Sequence, residues 1–256
     1  TLKNLGTMTI SGEAVVTTAD TEGKSSLIAN GWYGNGTAND RKVPYPADGT
    51  PASLIIEKGT FTGGMNTVKN DDYGKLEISG GSFSNTNGPA VMNWNEASIS
   101  GGEFTAPNGA VLSNGYLDGT ADKGVMTVTG GTFTSGNGGT DPLFGYNEGA
   151  GKGGSVSLSN VTVNAVVSTY ENVYDVSVSS GTFSSAVPAA CIAGDKTAAS
   201  LTSGGTTAYY IGTNDEVAAK LSGAGEGDSV TVQQGTLTLS NVAPGVVVKN
   251  EGTGTV

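Results

Sequence analysis

The sequence contains no histidine, one cysteine (Cys191) and one arginine (Arg41) among its 256 residues. Without histidine a Cys–His nucleophile is excluded, and a single cysteine excludes an internal disulfide. Cys191 stands between alanine and isoleucine and is predicted to be a small core residue.

Lysine and arginine total 12 against 23 aspartates and glutamates, a net charge of −11. No basic stripe is left to displace counterions from phosphates, so nucleic acid is not expected as a partner.

Charged residues of both signs are scarce, at 14% of the chain. No apolar run approaches the ~20 residues that a helix needs to cross a bilayer, so no membrane span is expected. Disordered chains are usually more charged and poorer in valine, isoleucine and phenylalanine, which favours a folded protein. The 42 glycines, with abundant serine, threonine and asparagine, favour strands and turns over helices. This acidic, cysteine-poor composition predicts an extracellular, secreted bacterial protein.

One eight-residue phrase recurs along the chain and usually ends in phenylalanine. Its copies lie at 54–61, 76–83, 97–104, 126–133 and 176–183, with degenerate copies at 8–15 and 156–163. The last residue of each copy, the anchor, is Val15, Phe61, Phe83, Phe104, Phe133, Val163 or Phe183. The shortest gaps between anchors, 20 to 22 residues, define a basic rung, and the longer gaps are rungs that carry loops.

A second, valine-rich phrase follows each anchor, so each rung holds three short extended pieces. Its copies lie at 27–30, 67–70, 90–93, 110–114, 143–145 and 166–169. In the first piece Leu76 and Ile78 point inward while Glu77 and Ser79 point outward, the alternation typical of a strand. The glycine pair before the anchor allows a bend with positive φ.

Three strands in about 21 residues cannot close a sandwich hairpin by hairpin, but they can form one turn of a parallel coil. Rungs of such a coil lie ~4.8 Å apart, so the phenylalanines are expected to stack in an interior ladder. The predicted fold is therefore all-β, a right-handed parallel β-helix with about 20–22 residues per basic rung. A sandwich would not keep one phrase in register seven times.

These phrases resemble the Gly-Gly-Thr-Phe repeat proteins on the surface of gut Firmicutes, within the pectate-lyase-like class of right-handed β-helices. The resemblance covers about residues 1–200, and residues 174–194 resemble the closing repeat of such arrays. It implies cell-surface display with adhesion or glycan contact. It supplies no catalytic residue that matches this sequence.

Residues 201–256 differ from the β-helix repeats of 1–200. Thr213 to Glu216 can cap a short helix that runs through Leu221 and is stopped by Gly223. Strands are predicted at 227–232, 235–239 and 246–249. This segment either caps the stack or begins a further β-helix unit, because a bare end would expose strand edges.

An aromatic residue recurs at one corner of six rungs, with a carboxylate or asparagine nearby. The aromatics are Trp32, Tyr73, Trp94, Tyr116, Tyr146 and Tyr170, and the accompanying acids include Asp72, Glu96, Asp118 and Glu148. Five rung spacings give a strip of about 24 Å, on which a host or dietary polysaccharide could stack. The other interpretation, which is favoured for the rings themselves, is that they stack on one another and stiffen the edge. The long loop at 34–52 could wall a groove beside Trp32, or be only a loop.

The chain is expected to be non-enzymatic. A lyase acting on uronates needs a base and cations, and this chain has one arginine and no histidine. A hydrolase needs clustered carboxylates. Two acids and a hydroxyl point outward in consecutive rungs, at Glu57, Glu77 and Ser98. The corner offers more acids. These corner acids are Asp71, Asp72, Glu96, Asp118, Glu148 and Glu171. Neither set defines a catalytic residue.

No metal ion or other cofactor is assigned. The acidic corner column could share Ca²⁺, but solvated carboxylates are favoured and calcium-roll repeats are absent from the sequence. Ice binding needs regular Thr-x-Thr columns, and Thr127 and Thr129 are an isolated example of this pattern. The favoured function is an adhesin-like, monomeric surface module that contacts glycans along the aromatic corner. A polysaccharide lyase or glycoside hydrolase of this fold, and a passive structural stalk, are the alternatives.

Overall fold

The structure is a computed structural model that describes residues 1–18, 25–32, 46–115, 124–145, 154–168, 175–253 and 255–256. Within these residues the chain forms 24 short strands, a helical turn α1 (Gly136–Gly139), a 3₁₀ turn (Ala189–Cys191) and a helix α2 (Asn214–Leu221). The predicted all-β, parallel-stranded solenoid is confirmed. No helix in the described part of the chain is long and apolar enough to cross a membrane.

Three sheets lie side by side along the coil, and each takes one strand from successive rungs. Sheet A contains β1 (Leu2–Asn4), β4 (Ile28–Asn30), β7 (Val68–Asn70), β10 (Val91–Asn93), β13 (Leu112–Asn114) and β16 (Phe144–Gly145). Sheet B contains β2 (Thr7–Ile10), β5 (Ala52–Ile56), β8 (Gly74–Ile78), β11 (Glu96–Ile99), β14 (Val125–Val128), β17 (Ser155–Leu158) and β19 (Asp175–Val178). Sheet C begins with β3 (Val15–Thr17), β6 (Thr60–Thr62), β9 (Ser82–Ser84), β12 (Glu103–Ala106), β15 (Thr132–Ser135), β18 (Val161–Asn164) and β20 (Gly181–Phe183). All strand pairs among these are parallel.

The interior contains the predicted phenylalanine ladder. Phe61, Phe83, Phe104 and Phe133 stack with ring centroids 4.9, 4.8 and 4.9 Å apart and interplanar angles of 13°, 6° and 7°. All four side chains are fully buried. Burying each one stabilises the fold by about 1.5–3 kcal/mol relative to exposure. The column continues with Val163 and Phe183 in the next two rungs.

The anchor of the first rung is Val16, so the predicted anchor Val15 is wrong. Val16 pairs with Phe61 and packs against the core, whereas Val15 is 71% exposed. Five residues separate Ile10 from Val16, but four separate the corresponding Ile56 from Phe61. One inserted residue therefore shifts the anchor, because neighbouring residues of a strand face opposite sides.

The glycine pair that precedes Phe83, Phe104 and Phe133 meets two separate steric demands. Gly102 has φ of +114°, a conformation that side-chain-bearing residues rarely adopt. A Cβ at Gly101 would lie 2.6 Å from the backbone oxygen of Ser79 in the preceding rung. The first glycine thus permits close contact between rungs, and the second permits the bend.

Beyond β20, sheet C continues with strands of mixed direction. These are β22 (Thr206–Gly212), β21 (Thr197–Ser203), β23 (Ser229–Gln234) and β24 (Val247–Asn250). The first three pairings are antiparallel, and β24 is parallel to β23. The predicted strand at 235–239 is reduced to a single bridge between Thr236 and Thr255. The predicted domain boundary at 200/201 falls inside β21.

The helix predicted after Thr213 is confirmed as α2. The Thr213 hydroxyl accepts a hydrogen bond from the backbone N–H of Glu216, and the Glu216 carboxylate accepts one from the backbone N–H of Thr213. This reciprocal pair is a capping box. Val217 and Leu221 are buried in a second, smaller core beside β23.

Candidate functional site: the corner after sheet A

The predicted aromatic strip lies where the chain leaves sheet A. Trp32, Tyr73 and Trp94 fall within the described residues. The remaining predicted members, Tyr116, Tyr146, Tyr170, Asp118 and Glu148, lie outside them, as do Glu171 and residues 34–45 of the long loop. The geometry of the strip is therefore known for the rungs near the N-terminal end.

The two tryptophans of the strip are buried. Trp32 is 3% exposed and Trp94 is 4% exposed. Trp32 meets the half-buried Tyr73 edge to face, with ring centroids 6.5 Å apart and an interplanar angle of 86°. The Trp94 ring packs on the Lys69 side chain, so the predicted glycan-binding strip presents no open ring at this position. A sugar cannot stack on an indole that the protein already covers.

Asp71 of this corner takes part in a buried ionic cluster. Asp71 and Asp72 are each 1% exposed, whereas Glu96 is exposed. The Lys69 ammonium lies 2.8 Å from Asp71 Oδ1 and 3.7 Å from the centroid of the Trp94 ring. The Lys3 ammonium lies 3.5 Å from Asp71 Oδ2. The expectation of solvated carboxylates is therefore wrong for Asp71 and Asp72.

The same corner contains a ladder of asparagine side chains inside the coil. In each step the Nδ2 amide donates to the Oδ1 atom of the asparagine in the next rung. The steps run from Asn4 to Asn30 (2.7 Å), to Asn70 (2.8 Å), to Asn93 (2.9 Å) and to Asn114 (2.8 Å). All five side chains are buried.

Each asparagine also binds the backbone that turns around it. Asn93 Nδ2, for example, donates to the carbonyls of Asn95 and Val125 over 3.0 and 3.1 Å. The ladder thus satisfies polar groups at the corner and fixes where each rung turns, since buried polar atoms need partners. The sequence carried a signal for it, because asparagine ends four of the valine-rich phrases at an inward position.

The outward carboxylates of sheet B do not form the predicted column. Glu77 pairs in register with Ile55 on one side and Ser98 on the other, so Glu57 lies outside this column. Glu77 instead lies 3.3 Å from Lys75. Two facing carboxylates, as glycoside hydrolysis requires, are therefore not formed by these residues. No group of three or more potential metal-binding side chains occurs within the described ranges.

Sheet C carries an outward array of hydroxyl groups that the sequence interpretation missed. One column contains Thr60, Ser82, Glu103, Thr132 and Thr162, and the next contains Thr62, Ser84, Thr105, Thr134 and Asn164. Thr-x-Thr pairs therefore occur at 60–62 and 132–134, so Thr127 and Thr129 are not an isolated example. An open groove of about 640 Å³ runs beside the first column, along the glycine bends.

Cys191 is buried, as predicted. Its Sγ lies 3.8 Å from the backbone oxygen of Ser168. Burial raises the pKa of the Cys191 thiol, which keeps it protonated and unreactive. It therefore acts as a packing residue.

Comparisons with protein families, curated proteins and solved structures give no match to this chain. Its function must therefore be inferred from the fold and from the contacts described above.

Proposed function

We propose that this protein is a rigid, adhesin-like module displayed outside the cell, built as a right-handed parallel β-helix. The single observation that supports it best is the pair of interior ladders: asparagines link the first five rungs and stacked phenylalanines link the second to the fifth. The right-handed coil is proposed because about 98% of parallel crossover connections within one sheet are right-handed.

The ladders favour a mechanical role over a chemical one. The second to fifth rungs are held to one another by parallel backbone pairing, by ring stacking and by side-chain amides at the corner. Trp32, Trp94, Asp71 and Asp72 at that corner are packed into the structure, whereas Glu96 is exposed. A coil so stabilised holds whatever it carries at a fixed distance, which is what a surface spacer requires.

Contact with a polysaccharide is the second candidate function, and its proposed site is sheet C rather than the corner. The observation that favours it is the exposed groove beside the column of Thr60, Ser82 and Thr132. The column carries a hydroxyl in each of its rungs except the one that contributes Glu103, so it could meet the regularly spaced hydroxyls of a sugar chain. Lyase or hydrolase activity has less support, because the described carboxylates are buried, paired with lysine or isolated.

Small-angle scattering and surface labelling test the spacer proposal. The purified protein should scatter as a particle clearly longer than a 25.4 kDa sphere. A membrane-impermeant reagent or an antibody should label it on intact cells of the organism that produces it. A compact scattering profile would contradict the rigid coil, and labelling only after lysis would contradict surface display.

A glycan array distinguishes the spacer from the binder. If sheet C binds sugars, the wild-type protein should retain a glycan, and Ser82→Tyr, which fills the groove, should lose it. Ser98→Tyr places the same ring on an exposed position of sheet B and serves as the matched control. Absence of any retained glycan would leave the spacer as the function.

A further inference from the structure

The ionic cluster at the first corner brings two lysines to one buried carboxylate. Lys69 approaches Oδ1 of Asp71 at 2.8 Å, and Lys3 approaches Oδ2 at 3.5 Å. Asp71 is 1% exposed, and the two lysine side chains are 12% and 24% exposed. Asp72, the next residue, is buried to the same extent as Asp71.

A buried cluster of charges contributes little net stability to a fold. Removing charged groups from water costs several kcal/mol per ion, and the attraction between them often fails to recover it. The neighbouring positions on the outer side of sheet A are filled by less costly residues, Ala29 and Met92. The concentration of two lysines around one buried aspartate therefore points to chemistry between them.

The strand register places Lys3 where its side chain can join separate rungs. Lys3, Ala29 and Lys69 occupy equivalent positions in three consecutive strands of sheet A. The small Ala29 side chain lets Lys3 extend over the second rung to Asp71, which follows the third strand. A bond between them would link the first rung to the third.

We propose that Lys3 and Asp71 condense to an amide, an internal isopeptide cross-link. The Lys3 nitrogen attacks Cγ of Asp71, a C–N bond forms, and one carboxylate oxygen leaves. Two of the three ammonium protons of Lys3 leave with that oxygen as water, so atoms and charge balance without an oxidant or a cofactor. Burial favours the reaction, because a neutral amide replaces an ion pair in a water-poor site.

The second lysine of the cluster assists this reaction. Lys69, held over the Trp94 ring, directs its positive charge at Oδ1 and stabilises the negative charge that develops there. The protons of the Lys3 nitrogen pass to the departing Asp71 oxygen, since the ammonium lies 3.5 Å from Oδ2. This assignment is independent of the proposed spacer function, since a cross-linked coil and a binding coil are equally compatible with it.

The mass of the intact protein tests the proposal. Full-length protein, incubated folded until its mass is constant and then denatured, should be lighter than its sequence by one water molecule. Proteolysis should release a branched peptide that joins residue 3 to residue 71. A mass equal to that of the sequence would overturn the proposal, and a branch from residue 69 would overturn the assignment of Lys3 as nucleophile.

Variants separate the roles. Lys3→Arg should abolish the cross-link and the loss of water. Asp71→Asn should also lose no water, because attack on its carboxamide would release ammonia instead and lower the mass by a different amount. Lys69→Met, which removes the positive charge beside Oδ1, should slow the loss of water at least tenfold in a time course that begins with freshly refolded protein. Lys75→Arg, at a half-exposed lysine paired with Glu77, is the control and should cross-link like the wild type. A wild-type rate in Lys69→Met would exclude its role in charge stabilisation.

Discussion

The Nδ2 amide of Asn70 donates to Oδ1 of Asn93 over 2.9 Å, entirely inside the coil. Asn93 in turn donates to Asn114 over 2.8 Å and to two backbone carbonyls. Asn93 can therefore be replaced without loss of stability only by a residue that both accepts and donates hydrogen bonds at this point. This requirement gives a direct test of the ladder.

Asn93→Asp should destabilise the protein by about 3–5 kcal/mol at neutral pH, because it places a buried negative charge against three oxygen acceptors. Burial should raise the pKa of the introduced carboxyl. The loss of stability should therefore be complete above that raised pKa and shrink as the pH falls through it. Urea unfolding at several pH values measures the effect. Asn108→Asp, at an exposed asparagine, should change stability little, and equal effects at the two sites would contradict the ladder's role.

Phe104→Ala should cost about 3–5 kcal/mol, because it leaves a cavity between two stacked rings. Phe104 lies 4.8 Å from Phe83 and 4.9 Å from Phe133 between ring centroids. The same change at Phe183, whose paired neighbours are Val163 and Tyr209, should cost less. Chemical denaturation of both variants measures this difference. Small and equal losses would show that the stacked column does not dominate the core.

Gly102→Ala should destabilise the protein by about 1–3 kcal/mol, since it forces alanine into a positive-φ conformation. The added Cβ would also lie 3.1 Å from the backbone oxygen of Gly81. Gly109→Ala is the matched control, because no atom lies within 4 Å of its Cβ position. Thermal melts of the two variants should differ clearly. Similar melting temperatures would mean that the bend tolerates side chains.

Trp94→Ala should lower the stability by about 3–5 kcal/mol, as expected for a buried aromatic. It should also weaken the placement of Lys69, whose ammonium lies over the ring. Calorimetry of the variant provides the measurement, and Trp94→Phe, which keeps a ring, should recover part of the loss. An unchanged melting temperature would contradict the burial of Trp94 and support an exposed binding strip.

Protonation of Glu216 should weaken the start of α2. The backbone N–H of Thr213 is the main cause that lowers the pKa of Glu216 below its ordinary value. The stabilising contribution is therefore present above the ordinary pKa and is lost as the pH falls through the folded-state pKa. Glu216→Gln keeps an acceptor that does not titrate, so the difference between its melting temperature and that of the wild type should vary in acid. The same substitution at exposed Glu103 serves as a control, and a constant difference at Glu216 would argue against the capping carboxylate.

The parts of the fold that the sequence predicted are those in which one residue type repeats. Phe83 and Phe104 recur at rung spacing after glycine pairs, and that spacing requires the stack that is observed. The error at Val15 has a simple cause, since one extra residue reverses which side chain faces inward. A repeat thus predicts a column well and its irregular first rung poorly.

The corner was harder to predict, because its contacts join residues far apart in the sequence. Nothing local to Trp94 shows that Lys69 lies against its ring, and nothing local to Asp71 shows that Lys3 reaches it. The hydroxyl columns were missed for a related reason. Thr60 and Thr62 flank a phenylalanine that dominated the pattern, so their shared outward face became evident only with the strand register.

The one-way direction of the asparagine ladder has a consequence for how such a chain can change its length. Every step donates toward the following rung, so a copy of any middle rung presents an acceptor to the rung before it and a donor to the rung after it. Duplication or loss of a whole rung therefore leaves both neighbours correctly matched, whereas a partial insertion within a strand does not. Its reach can accordingly evolve in steps of one rung, about 4.8 Å at a time, without redesign of the interior.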